Sequence, residues 1–179
     1  MKITYNHGRQ NTAIATLGIL GAIITSLSLT PALETAYAHS CEENGCIEQG
    51  KMTGGGRINT DIILTHGFRL NCDPSDGPNR LEINWDKGNR FHLESVTDIN
   101  CFDDPAYNPG RPAAAFDTLE LSGFGRYNGE SGAFVWVQLT DFGEPGKNDW
   151  ATVVVYDGEG NLILDVTGHL QSGNHQAHK

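Results

Sequence analysis

Beyond Gly50, apolar side chains recur at every second position over short stretches, and each stretch ends in Gly, Asn or Asp. Alternation of period two marks strands with one dry and one wet face, and no window holds a helical period of useful length. The predicted strands are Lys51 to Asn59, Ile62 to Cys72, Leu81 to Trp85, Asn89 to Thr97, Thr118 to Tyr127, Ala133 to Thr140, Asp149 to Tyr156 and Asn161 to Leu170. They predict an all-β fold: a single antiparallel β-sandwich or small barrel of about eight strands over residues 50–171. Residues 172–179, SGNHQAHK, lack apolar periodicity and read as a polar, His-containing tail.

One hairpin can be paired residue by residue. In LEINWDKGNRFHLES, a three-residue connection Asp86-Lys87-Gly88 with Gly88 in the left-handed region sets Ile83 opposite Phe91 and Leu81 opposite Leu93. Glu82 then faces His92 and Asn84 faces Arg90 on the wet side, with Glu94 two residues along. A slip of one residue would mix the faces. FVWVQL and TVVVY are nearly continuous apolar runs, which predicts central strands covered on both sides and paired through the turn at 141–149. The proline-bearing stretch from Phe102 to Phe116 is the one long connection without strand signals.

The first residues change the picture of compartment. A head carrying only Lys2 and Arg9 as charges leads into an apolar run from Thr12 to Leu29, and Ala36-Tyr37-Ala38 supplies a small-x-small cleavage site. This is the layout of a secretory signal peptide over residues 1–38, cut after Ala38; an uncleaved anchor is the alternative, and no later segment is long and apolar enough to span a bilayer. The chain from His39 onward has the usual size of one domain. The net charge of −10 disfavours nucleic acid as a partner and suits solubility outside the cell and divalent cations; the partner expected of a secreted or cell-surface chain is an extracellular protein or glycan. All four cysteines follow the signal, where disulfides persist; the spacing favours Cys41 with Cys46 within the short segment 39–49, and Cys72 with Cys101. A zinc site is the competing use, but the C-x₂-C knuckle is missing.

Three groups of side chains could carry chemistry. In LTDFGEPGKNDW, Asp141, Glu144, Asn148 and Asp149 supply hard oxygens in a Gly- and Pro-bent loop, as Ca²⁺ requires, although the EF-hand spacing is absent. Asp103 and Asp104 could complete that site if the loops meet. The bland alternative is a turn in which Asp141 and Asp149 cap backbone N–H groups. Glu82, His92 and Glu94 form a second cluster, with His66 or His169 as a third metal ligand if a neighbouring strand presents it; otherwise it is a charged ladder on a solvated face. His169, His175 and His178 form a third, which together with His39 could bind a transition metal adventitiously. No G-x-S-x-G elbow is present, whereas paired carboxylates for polysaccharide hydrolysis depend on three-dimensional separation. The triple glycine of GKMTGGGRI lacks a phosphate-loop Lys and reads as a bulge or flexible strand start.

GKMTGGGRI, THGFRLNCD, NRFHLES, GRYNG, DFGEPGKNDWATVVVYD and GNHQAH, in that order, resemble an uncharacterised family of secreted bacterial and archaeal β-domains of the post-COAP type. The likeness runs from about Gly50 to His178. It implies an exported all-β module that usually accompanies other domains, and it transfers no catalytic residue, cofactor or ligand. The expectation is a secreted or cell-surface binding or structural module, calcium-stabilised if the acidic loop holds the ion, with a secreted hydrolase using paired carboxylates as the alternative.

Overall fold

The computed structural model describes residues 49–106 and 114–179. The signal segment, the Cys41–Cys46 pairing, His39 and the middle of the proline-bearing connection lie outside those residues. Among the described residues no helix is long and apolar enough to cross a membrane.

The described residues form one antiparallel sheet of nine strands, curled into a half-barrel: β1 (Lys51–Asn59), β2 (Ile63–Asn71), β3 (Arg80–Trp85), β4 (Asn89–Phe102), β5 (Thr118–Tyr127), β6 (Glu130–Thr140), β7 (Trp150–Tyr156), β8 (Leu162–His169) and β9 (Ser172–His178). The strand order is β8-β7-β6-β5-β4-β3-β2-β1-β9. Eight strands therefore pair with their sequence neighbours as a meander, and the ninth crosses to the far edge. The all-β expectation holds, in its barrel-like rather than its sandwich form, because one curled sheet can cover its own dry face.

Period two decides that dry face. On β3, Leu81, Ile83 and Trp85 are buried while Arg80, Glu82 and Asn84 are exposed. The β3–β4 register pairs Glu82 with His92, Ile83 with Phe91 and Asn84 with Arg90, as the alternation predicts, and Gly88 has φ 82°. Cys72 and Cys101 form a disulfide with Cα atoms 5.6 Å apart, tying the end of β2 to the end of β4.

Three expectations need correction. The polar tail is a strand: β9 pairs with β1 along its length, from Arg57 opposite Ser172 to Lys51 opposite His178. It escaped notice because only His175 and Ala177 are buried along it, too few apolar positions to show a period. Second, β6 and β7 are not covered on both sides. Val135, Val137, Leu139, Ala151, Val153 and Val155 are buried, while the residues between them are partly exposed. The apolar runs are continuous because the outer face is apolar too. Third, β4 continues past Thr97 to Phe102, through register shifts at Leu93/Ser95 and Val96/Asp98. A bulge adds a residue to one strand and so breaks the alternation by which a strand is read.

Candidate functional site

Two regions depart from the usual placement of polar and apolar groups. The first is the seam at which β9 lies on β1. Inward-facing Gly54 and Gly56 of β1 pair with Phe68 and His66 on β2 and with His175 and Gly173 on β9. A Cβ on Gly54 would run into the Asn174 carbonyl, and one on Gly56 into Leu170 and the Ser172 carbonyl. The glycines thus admit β9 at close range and leave space above β1. Into that space project His66 and His175, both buried, whose Nε2 atoms lie 2.8 Å apart. Phe68 stacks on His66 with centroids 5.9 Å apart and meets His175 edge-on at 5.1 Å.

Hydrogen-bond logic assigns the protons. His175 Nδ1 lies 3.1 Å from the Thr140 carbonyl oxygen, which can only accept, so that nitrogen carries the hydrogen. In neutral His175 the Nε2 is then the acceptor and His66 Nε2–H the donor, which leaves His66 Nδ1 as a buried lone pair without a partner. Burial lowers His66 to a pKa of about 4. Burial, then repulsion from His66, lowers His175 to about 3, against the bond to Thr140, which raises it. Both rings are neutral near pH 7.

The acidic loop lies against the other edge of β9. Asp149 Oδ2 accepts from His175 N at 2.6 Å and its Oδ1 from Phe142 N at 2.9 Å. Asp141 Oδ2 accepts from Ala177 N at 2.9 Å and its Oδ1 from Gly143 N at 2.8 Å. Two carboxylates thus stand where a tenth strand would supply carbonyls, and the His175 and Ala177 N–H groups on the edge of β9 are satisfied. Asn174 donates to Glu144 Oε1 at 3.2 Å, and Asn148 contributes its carbonyl oxygen, 2.7 Å from His169 Nδ1. Asp149 is fully buried and its pKa is pushed up to about 6 by desolvation, opposed by the His175 and Phe142 amides and reinforced by Asp141 and Glu144.

The loop does meet the Asp103–Asp104 segment, through a residue the sequence reading passed over. Asp117 is buried; its carbonyl accepts from Asp141 N at 2.8 Å and its Oδ1 from Asp104 N at 3.0 Å and from the Thr118 hydroxyl at 2.8 Å. Desolvation raises its pKa, with Asp103 and Asp104 adding to the rise against those two bonds. Among the described residues no three His, Cys, Asp or Glu side chains converge in a way that could hold a metal ion.

The remaining candidates separate. Glu82 bonds His92 across strands, but Glu94 pairs with Arg126 Nε at 2.8 Å and accepts from the Ser131 hydroxyl. His66 points to the interior and so lies on the opposite face from that ladder. His169 packs on Trp150 with ring centroids 4.7 Å apart, and His178 lies 2.8 Å from the Thr53 hydroxyl, so the three C-terminal-side histidines do not share a point. Two open clefts border this face. One, of about 370 Å³, lies between Pro74–Asn79 and Leu93–Val96; the other, of about 260 Å³, lies among Glu82, Arg90, His92 and Arg126. Each holds one carboxylate, Glu94 or Glu82, already paired with a base.

The second unusual region is the outer face of β5 to β8. Cross-strand pairing sets Phe124 beside Phe134, Phe134 beside Tyr156 and Tyr156 beside Leu162, one apolar row across four strands. Phe124 and Phe134 meet edge to face at 5.5 Å and Phe134 and Tyr156 are tilted at 6.3 Å. Phe124 is 43% exposed and Leu162 54%. The next row is Ser122, Trp136, Val154 and Asp165.

Comparison of the chain with protein-family models, with curated proteins and with solved structures finds no match in any of the three. The functional reading therefore rests on this geometry.

Proposed function

We propose that the protein is a secreted or cell-surface, non-catalytic binding or structural β-module whose contact face is the outer surface of β5 to β8. The observation that carries this reading is the outward-facing Phe124–Phe134–Tyr156–Leu162 row, exposed at Phe124 and Leu162 and half-buried between them. Contiguous apolar surface costs solubility, and in soluble proteins it marks contact sites. Aromatic rings supply large contact area at low entropic cost, for a protein or for the apolar faces of a glycan. A hydrolase of the paired-carboxylate type needs two carboxyl groups flanking one cleft, whereas each cleft described above offers a single one, already bonded to His92 or Arg126. The disulfide and the acidic balance of the chain accord with an oxidising exterior.

The test compares the protein with its Phe124→Ser, Leu162→Ser double variant on immobilised polysaccharides and on immobilised cell-envelope proteins. Retention that the double variant weakens at least tenfold, with no new reducing ends released from any polysaccharide, supports the proposal. Equal retention of both forms, or turnover of a polysaccharide, overturns it.

A further inference from the structure

The seam holds two imidazoles and two carboxylates for which the outer contact face has no use. We propose that β9 is an acid-released latch: protonation of the His66–His175 pair expels this strand from the seam while β5 to β7 stay paired.

The geometry makes every added proton unfavourable. A proton on His175 Nε2 removes the only acceptor of His66 Nε2–H and sets two N–H groups against each other at 2.8 Å. A proton on His66 Nδ1 creates a cationic donor where no acceptor lies in reach, beside the ring of Phe68. Neither site is open to water while β9 is seated, so the charge is accommodated by opening. β9 also buries little apolar surface. Its buried apolar contribution is Ala177 alone, whereas β6 and β7 bury continuous Val, Leu and Ala rows. Segments with few buried apolar contacts open at lower free energy than the core.

The charged and titratable groups around the pair are Asp149 and Asp141 on the outer edge of β9, Glu144 on Asn174 and His178 against Thr53. Lys51 and Arg57 on β1 and Arg69 on β2 occupy the opposite face of those strands. The sign follows from which state binds more protons. Both histidines titrate lower when seated, about 4 and 3 against 6.5, so the open state binds more protons as pH falls below 6.5. Asp149 acts oppositely between about 6 and 3.8, since its seated form takes up a proton first. Each group being half titrated at its own pKa, the net difference is about one proton through the range from pH 6.5 to 5. The opening constant therefore rises on the order of 100-fold between pH 7 and pH 5.

Amide hydrogen exchange on the whole protein, corrected for intrinsic rates, reads this directly. The expected result is that Asn174–His178 exchange by a local, denaturant-insensitive opening that grows about 100-fold from pH 7 to 5, while β5–β7 amides remain protected at pH 5. His66→Gln keeps a donor for His175 Nε2 but does not titrate, and it should cut the pH effect below tenfold. Should that variant not fold, imidazole ¹⁵N spectra of the unsubstituted protein serve instead: His66 and His175 should become charged in step with β9 exchange. A single common opening for β9 and β5–β7, a pH-independent β9, an undiminished effect in His66→Gln, or rings that stay neutral through release would each overturn the latch.

Discussion

At the seam, carboxylates and imidazoles occupy the interior; on the outer face of β5 to β8, aromatic rings lie against solvent. The two regions invert the ordinary distribution of polarity in opposite directions. A buried polar group must find its partner within the protein, so the seam is closely determined: each oxygen of Asp141 and Asp149 accepts a named backbone N–H, and one hydrogen joins the two rings. An exposed apolar row has no such obligation to its own fold. Its order comes from cross-strand ring contacts, and its cost in water is recovered only when something covers it. The contrast separates residues that hold the protein together from residues that face outward.

Four measurements would sharpen or break that contrast. Asp149→Ala strips the acceptors from the buried amide of His175 and the part-buried amide of Phe142, and at roughly 1–3 kcal/mol for a buried unsatisfied group and less for one that water can reach urea unfolding should show a loss of about 2–4 kcal/mol; an unchanged midpoint would make the clasp ornamental. Replacing Cys72 and Cys101 together by Ser opens a loop with a sequence separation of 29, and the chain-entropy scale places that loss at about 3–4 kcal/mol in the same assay. Lowering the pH from 7 to 5 should cost stability on the order of 2–3 kcal/mol, the net of the two histidines with folded pKa near 4 and 3 against Asp149 near 6. Stability that climbs over this range would mean that Asp149 outweighs the imidazoles. The smallest change belongs to the outer face: Phe124→Ser with Leu162→Ser should move the unfolding free energy by less than about 1 kcal/mol while abolishing partner retention. A large stability loss there would place the row in the core's service rather than a partner's.

Calcium gives a further separation of the two regions. The oxygens of Asp141 and Asp149 that a cation would need are engaged by amides, so the clasp predicts equal melting midpoints in millimolar Ca²⁺ and in chelator. A ligand that binds only the folded state must raise the midpoint; a rise that Asp141→Asn and Asp149→Asn remove would establish the loop as a cation site.

Much of the sheet was legible along the chain because alternation is a local property. Leu81, Ile83, Trp85, Phe91 and Leu93 announce their own dry face, and the β3–β4 register followed from one turn. The same rule, carried along β2, would have placed His66 on the dry face with Leu64, Phe68 and Leu70. That alternation is the signal for the seam that β2 carries. β9 offered no comparable signal, since a strand whose partners are glycines, carboxylates and one imidazole needs almost no apolar residues of its own.

The amino-acid sequence by itself determined the β class, most strand positions and the register of the hairpin, since each depends on spacing between near neighbours; it favoured the Cys72–Cys101 disulfide without deciding it. Only the tertiary structure decided that the acidic bend clasps β9, that TGGG and GNHQAH lie side by side, and that two histidines 109 residues apart share a hydrogen. Those outcomes depend on how a curled sheet brings its first and last strands together. That is a property of accumulated twist and closure over nine strands, which no local pattern encodes.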